Sequence, residues 1–357
     1  MASFPVSLRV AAGLVAAFAL VSAPDASAAP VDFAAVPADA VWMMHLDVDA
    51  ARDSTVVTRL YERAAKMHPQ VEAMMTMAVG MTGMDPRKDL HDVSAYGRDT
   101  DKRNAVMVVR GKVNRAFLEK MVEKARDHRT MQYGDRTLHS WTHRDHRHSK
   151  GETVVGAFQA DDRLVFARSP DAVKMALDVL DGGKAAYGEA GPLAGRVKTG
   201  SILVARAAAI DPDTKCPVLR EGRAFRVAAG EHDGRSFYRA KLDMKSAEAA
   251  GLTEDVVEGF EAVVKLRWGT DPEVMKLVSG LQTQTSGDTC TISWDAAADD
   301  VWKVVDKAAA AWEKRHQRHG NKGCAACGKD GCKGCGECPL GAGPRSGAET
   351  RPEREEF

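Results

Sequence analysis

Two hydrophobic rhythms alternate along the chain. Short apolar or β-branched runs read as strands, and segments with apolar residues three and four apart read as helices. Ala40–Leu46 is an apolar run, followed by Ser54–Met67 with Val57, Leu60, Tyr61 and Ala64 on one helical face. Asn104–Arg110 is a β-branched run; Asn114 then fits a helix N-cap, with Phe117, Leu118, Met121 and Val122 as the expected buried stripe. Arg163–Ala167 is a short strand. Ser169-Pro170 supplies a cap and a first-turn proline for a helix to about Leu180, with Val173, Leu177 and Leu180 inward. Ser201–Ala205, Phe237–Leu242 and Asp288–Trp294 read as further strands. Asp295 to about Arg315 reads as a last helix with Trp302, Val305, Ala309 and Trp312 along one face.

Gly134–Trp141, Thr153–Phe158 and Arg163–Ala167 are strands separated only by short loops. Such loops imply antiparallel pairing, because a parallel crossover needs a dozen or more residues. The expected class is therefore α+β: two similar halves, each a mainly antiparallel sheet with helices on one face. The glycine-rich stretch Asp181–Gly200 marks the boundary, giving halves at 29–181 and 201–319, a linker at 182–200 and a tail at 320–357.

The first 28 residues read as a secretory signal: Arg9, the apolar run Val10–Val21, and the small-residue site Ala26-Ser27-Ala28. Twelve apolar residues are too few for a retained membrane span, so the expectation is a secreted or periplasmic chain without a stable membrane anchor once the signal is cleaved. Fifty basic and fifty acidic residues balance, and the signal holds one of each sign, which argues against nucleic acid and anionic membrane as bulk partners; the partner stays unassigned, with another protein among the candidates.

The clearest chemistry lies in the tail. Five of the seven cysteines fall in Cys324–Cys338: the C-x-x-C pairs Cys324/Cys327 and Cys332/Cys335, then Cys338 before Pro339. From Gly320 onward the only larger apolar residues are Leu340 and Phe357, too few to offset the entropy of ordering, so the segment is expected to be disordered unless something cross-links it. Soft thiolates select zinc or copper(I), and Lys322, Lys329 and Lys333 temper the negative charge of a four-thiolate centre. Disulfides are the alternative in an oxidising compartment, leaving one thiol over. An iron–sulfur reading requires a fourth cysteine that follows the third after three residues and precedes the proline, whereas here the third, Cys338, already adjoins Pro339. Cys216 and Cys290 either pair or stay as two buried thiols.

His139, His143, His146 and His148 form a second candidate metal set; in an extended chain His139 and His143 share one face, and His146 and His148 the other. Arg144, Arg147 and Lys150 oppose a cation there. Met74, Met77, Met81 and Met84 lie at helical spacing and are expected in the core rather than as copper ligands. His45 reads as a satisfied core or edge histidine, and Asp47 and Asp49 as a turn and helix cap rather than a carboxylate pair. The chain has no G-x-S-x-G, P-loop, G-x-G-x-x-G, H-E-x-x-H or EF-hand loop, so no catalytic residue is assigned.

Val36-Pro37-Ala38-Asp39-Ala40, leading into a strand and Asp47-Val48-Asp49, resembles a group of uncharacterised exported bacterial proteins that open with Pro-Ala-Asp and repeat strand–helix units. The resemblance implies a two-part α+β body, does not cover the tail, and carries no activity. The functional expectation is an exported non-enzymatic protein with a soft-metal tail (zinc or copper). Its alternatives are a thiol–disulfide redox or disulfide-stapled interaction module, and an enzyme with a cleft between the halves.

Overall fold

A computed structural model describes residues 31–143, 151–188, 191 and 193–320. The chain divides after Val304: residues up to that point form one unit, and 305–357 form a second, whose described part is the end of the last helix. The first unit opens with β1 (Trp42–Asp47), helices α1 (Val48–Asp53), α2 (Thr55–Met67), α3 (Pro69–Thr82) and α4 (Pro86–Asp89), then β2 (Leu90–Gly97) and β3 (Val106–Gly111). Next come α5 (Arg115–Glu123), strands β4 (Arg129–Tyr133), β5 (Arg136–His143), β6 (Glu152–Ala160) and β7 (Arg163–Ala167), and α6 (Pro170–Leu180). The remainder is β8 (Ser201–Ala207), α7 (Pro217–Arg220), β9 (Gly222–His232), β10 (Arg235–Met244), α8 (Ala247–Trp268), α9 (Pro272–Val278), β11 (Leu281–Ser286), β12 (Thr289–Ala297) and α10 (Ala298–Gly320).

All twelve strands join one sheet in the order β11-β12-β10-β9-β8-β1-β2-β3-β7-β6-β5-β4, and every pairing is antiparallel. This corrects the expectation of two sheets. The first strands of the two runs pair with each other, Met44 opposite Ala205, so neither is left as an edge with unsatisfied backbone groups. One row of directly opposed residues crosses from His139 through Gly156, Phe166, Met107, Ala95, Met44, Ala205, Val227 and Ala240 to Ile292. These residues share a face, because side chains alternate along a strand. Each run has a three-strand meander (β1-β2-β3, β8-β9-β10), a helix, and a return onto the third strand by its last strand (β7, β12). The Asp233-Gly234 turn has positive φ at both residues, the geometry of a tight two-residue hairpin.

Helices lie on both faces of the first run, not on one. On one face α6 seats Val173, Ala176 and Leu177 against Val106, Val108, Val155, Ala157 and Val165. Full burial of Val173 and Leu177 contributes roughly 1.5–3 kcal/mol per side chain. On the opposite face, the one carrying the cross-sheet row, Leu118 and Val122 of α5 face Phe158, Leu164 and Phe166. In the second run α8 lies on that same face, with Ala249 and Ala250 against Ala240, Leu242 and Cys290. The glycine-rich stretch 181–200 packs back on the body: Pro37 bridges Ala186, Leu193 is fully buried, and Arg206 donates to the carbonyls of Leu193, Gly195 and Arg196.

Other boundaries differ in particulars. β12 continues to Ala297, so the last helix begins three residues later than its expected start at Asp295. Phe117 and Met121 of the expected stripe are more than one-third exposed. Met74 and Met77 point outward and Met75 is the buried methionine, because α3 meets Tyr61 of α2 through the Val71–Met75 edge. Cys216 is exposed and Cys290 buried, and they do not pair.

Candidate functional site

Of the expected ligands, the structure describes His139 and His143. The tail cysteines Cys324, Cys327, Cys332, Cys335 and Cys338, and also His146 and His148, lie outside the described residues. His143 ends β5 and is exposed. His139 is part-buried, with Nδ1 3.1 Å from Nε2 of His128 and the two rings stacked. Burial, then the neighbouring His128, hold its pKa below the usual imidazole value. His139 and His143 stand four residues apart on one strand, roughly 13 Å at the usual rise, too far to share an ion. Among the described residues no group of three or more His, Cys, Asp or Glu side chains is placed to hold a metal.

A carboxylate network sits where β1 meets α1. Asp47 is 2 % exposed, and its Oδ1 caps α1 by accepting the Ala50 N–H at 2.8 Å. Strand pairing places it opposite Asp92, which accepts from Arg110 Nε at 2.6 Å. Asp49, in the first turn of α1, pairs with Arg52 and lies 2.9 Å from His91 Nδ1. Arg52 also donates to the carbonyls of Arg87 and Leu90. Burial pushes the Asp47 carboxyl up to about 7; the Ala50 N–H opposes the shift, and Asp49 and Asp92 add to it. Each carboxylate has a structural partner, so the network locks the centre of the sheet. His45 belongs to the same face, with Nδ1 2.8 Å from Ser94 Oγ. The capping role read for Asp47 is the one it has. Asp92, His91 and Arg110 join only through the β1–β2–β3 register, which no local motif signals.

A small apolar cavity of about 110 Å³ lies between α5 and the sheet, lined among others by Met121, Val122, Trp141, Phe158, Leu164 and Phe166. Arg115 stacks over the ring of Phe158, one of the lining residues, at 5.0 Å.

The largest unsatisfied feature is the outward face of α8. Ser246 caps this helix by accepting the Ala249 N–H, and Ala249, Ala250 and Thr253 form its buried side. Small side chains let the backbone approach the sheet closely. The large ones point away: Leu252 is 59 % exposed, Val256 57 %, Phe260 66 %, Val263 58 % and Leu266 87 %. At 100° per residue these five fall on one stripe. A contiguous apolar patch of several hundred Å² on a folded body marks an interaction surface. The sequence did not announce this helix, since its apolar residues spread around most of the circumference.

No protein-family model matches the chain, and no curated protein does. Among solved structures the chain is similar to crystal form III of TP0453, with a TM-score of 0.42 and 10% identity, covering 79% of this chain and 100% of that one. Crystal form I of TP0453 gives 0.41 and 11% identity over 78% of this chain and 98% of that one. A likeness this distant assigns no role. Among the described residues no helix is long and apolar enough to cross a membrane.

Proposed function

We propose that the chain is an exported, non-enzymatic protein whose folded body carries a C-terminal soft-metal site. The observation behind this reading is the density of thiols: five cysteines in the fifteen residues from Cys324 to Cys338. Two C-x-x-C pairs offer four thiolates, the number that fills a tetrahedral zinc site, and a smaller subset suffices for copper(I). Lys322, Lys329 and Lys333 offset the negative charge, and the interspersed glycines let the backbone wrap a small ion. In this proposal the N-terminal 28 residues are a cleaved export signal. The repeated meander–helix–return order supports two related halves, as the resemblance to exported proteins with repeated strand–helix units implies.

The test is elemental analysis of the protein purified from the compartment it reaches, beside a copy ending at Gly320. The expected result is zinc or copper bound by the full chain in near-stoichiometric amount and lost from the shortened one. Equal metal content in the two forms contradicts the proposal. So does a tail whose cysteines are all oxidised and metal-free, an outcome that favours disulfide stapling.

A further inference from the structure

We propose that the outward face of α8 is a homodimer interface, in which α8 of one copy packs antiparallel against α8 of a second copy about a two-fold axis beside Gly259. Three observations select this occupant. First, the stripe has a leucine at each end: Leu252 and Leu266 stand seven residues on either side of Gly259, with Val256, Phe260 and Val263 between them. Two antiparallel copies therefore overlap along the whole stripe, as an isologous contact requires. Second, a side chain at Gly259 would meet nothing within 4 Å, so the middle of the stripe is open and low, as a crossing point of two helices needs to be.

Third, the charges are arranged head to tail. Residues 247–258 carry Glu248, Glu254, Asp255 and Glu258 and no base, whereas 259–268 carry Lys265 and Arg267 against Glu261 alone. Antiparallel packing about Gly259 sets the acidic half of each copy along the basic half of the other, with Asp255 on the flank of the stripe. A parallel arrangement would set the acids of both copies side by side. A bilayer surface fits less well, because helices that lie on membranes carry Lys and Arg on the polar face, and here that face is mostly acidic. Two copies of the stripe bury on the order of 1,000 Å², near the lower bound for a specific interface. A reversible dimer is therefore the form expected.

The test is sedimentation of the full chain from about 1 to 100 µM, the range in which a micromolar dimer dissociates. Monomer–dimer exchange is expected. Val263→Asp, at an exposed position beside the axis, should weaken association at least about tenfold, the effect of about 1.4 kcal/mol. Met74→Asp, on exposed apolar surface elsewhere, should leave it unchanged. Lys265→Glu combined with Arg267→Glu, which makes both halves of the helix acidic, should also weaken the dimer. A chain monomeric throughout, a dimer indifferent to Val263→Asp, or one indifferent to that charge reversal would each overturn the proposal. Binding to phosphatidylcholine vesicles that depends on Val263, in a chain that stays monomeric, would assign the face to lipid instead.

Discussion

α5 and α8 occupy the same place in the connectivity, each following a three-strand meander and lying on the same face of the sheet, yet they are built inside out with respect to one another. α5 turns Leu118 and Val122 toward Phe158, Leu164 and Phe166 and leaves a small apolar cavity where the fit is incomplete. α8 turns Ala249, Ala250 and Thr253 inward and sends Leu252, Phe260 and Leu266 into solvent. α5 thus divides its bulk between the sheet and solvent, where Phe117 and Met121 stay more than one-third exposed, whereas α8 meets the sheet with small residues and leaves five large apolar side chains in solvent. The contrast teaches that burial of a helix and the placement of its apolar mass are separate quantities, and that the second one points to partners.

The comparison can be broken most forcefully at two phenylalanines. Phe158 lies 8 % exposed under α5, and Phe158→Ala is expected to destabilise the fold by about 3–5 kcal/mol in urea titration. Phe260→Ala on α8 should change stability by no more than about 0.5 kcal/mol, its effect being confined to association. Equal losses would show that the outward face of α8 is covered within the single chain. Next in size, Ala250→Leu should cost about 1–3 kcal/mol, because the fully buried alanine sets the distance between helix and sheet. In the other direction, Val122→Ile should stabilise by roughly 0.5–1 kcal/mol in the same titration if the added methyl enters the cavity beneath α5.

A pH effect comes from the centre of the sheet. The Asp47 carboxyl holds its proton more tightly in the folded chain, where its pKa is about 7, than in the unfolded chain at about 4. The folded state therefore binds more protons between those values, and this group's contribution to stability falls as pH rises from about 4 to about 7. Asp47→Asn keeps an oxygen to accept the Ala50 N–H and loses the titration. Its melting temperature should vary less across that window than that of the parent chain, and an unchanged profile would remove Asp47 as the source.

What was legible in the sequence was local. Ser169-Pro170 fixed the start of α6, Val173 and Leu177 fixed its inward face, and Asn114 caps α5 by accepting the Phe117 N–H as its spacing implied. Hairpins around β5, β6 and β7 followed from short loops. The single sheet did not, because β1 and β8 are separated by more than 150 residues and no local pattern encodes that pairing. β11 was invisible for a different reason: its sequence Leu-Gln-Thr-Gln-Thr-Ser carries almost no apolar signal, which suits a sheet edge exposed to water. α8 was missed because its apolar residues form a broad arc, with Val257 and Val264 beside the stripe of Leu252, Val256, Phe260, Val263 and Leu266, and not one narrow stripe. Of the candidate site, the Asp47 cap could be read from neighbours in sequence, while Asp92, His91 and Arg110 are assembled by strand register.

The most direct measurement is amide hydrogen exchange of the full chain at low and high protein concentration, comparing Leu252–Leu266 with Arg115–Glu123. A docking role for α8 predicts that its amides slow as concentration rises while those of α5 stay constant. Exchange in α8 that is indifferent to concentration, or that slows in step with α5, would contradict it.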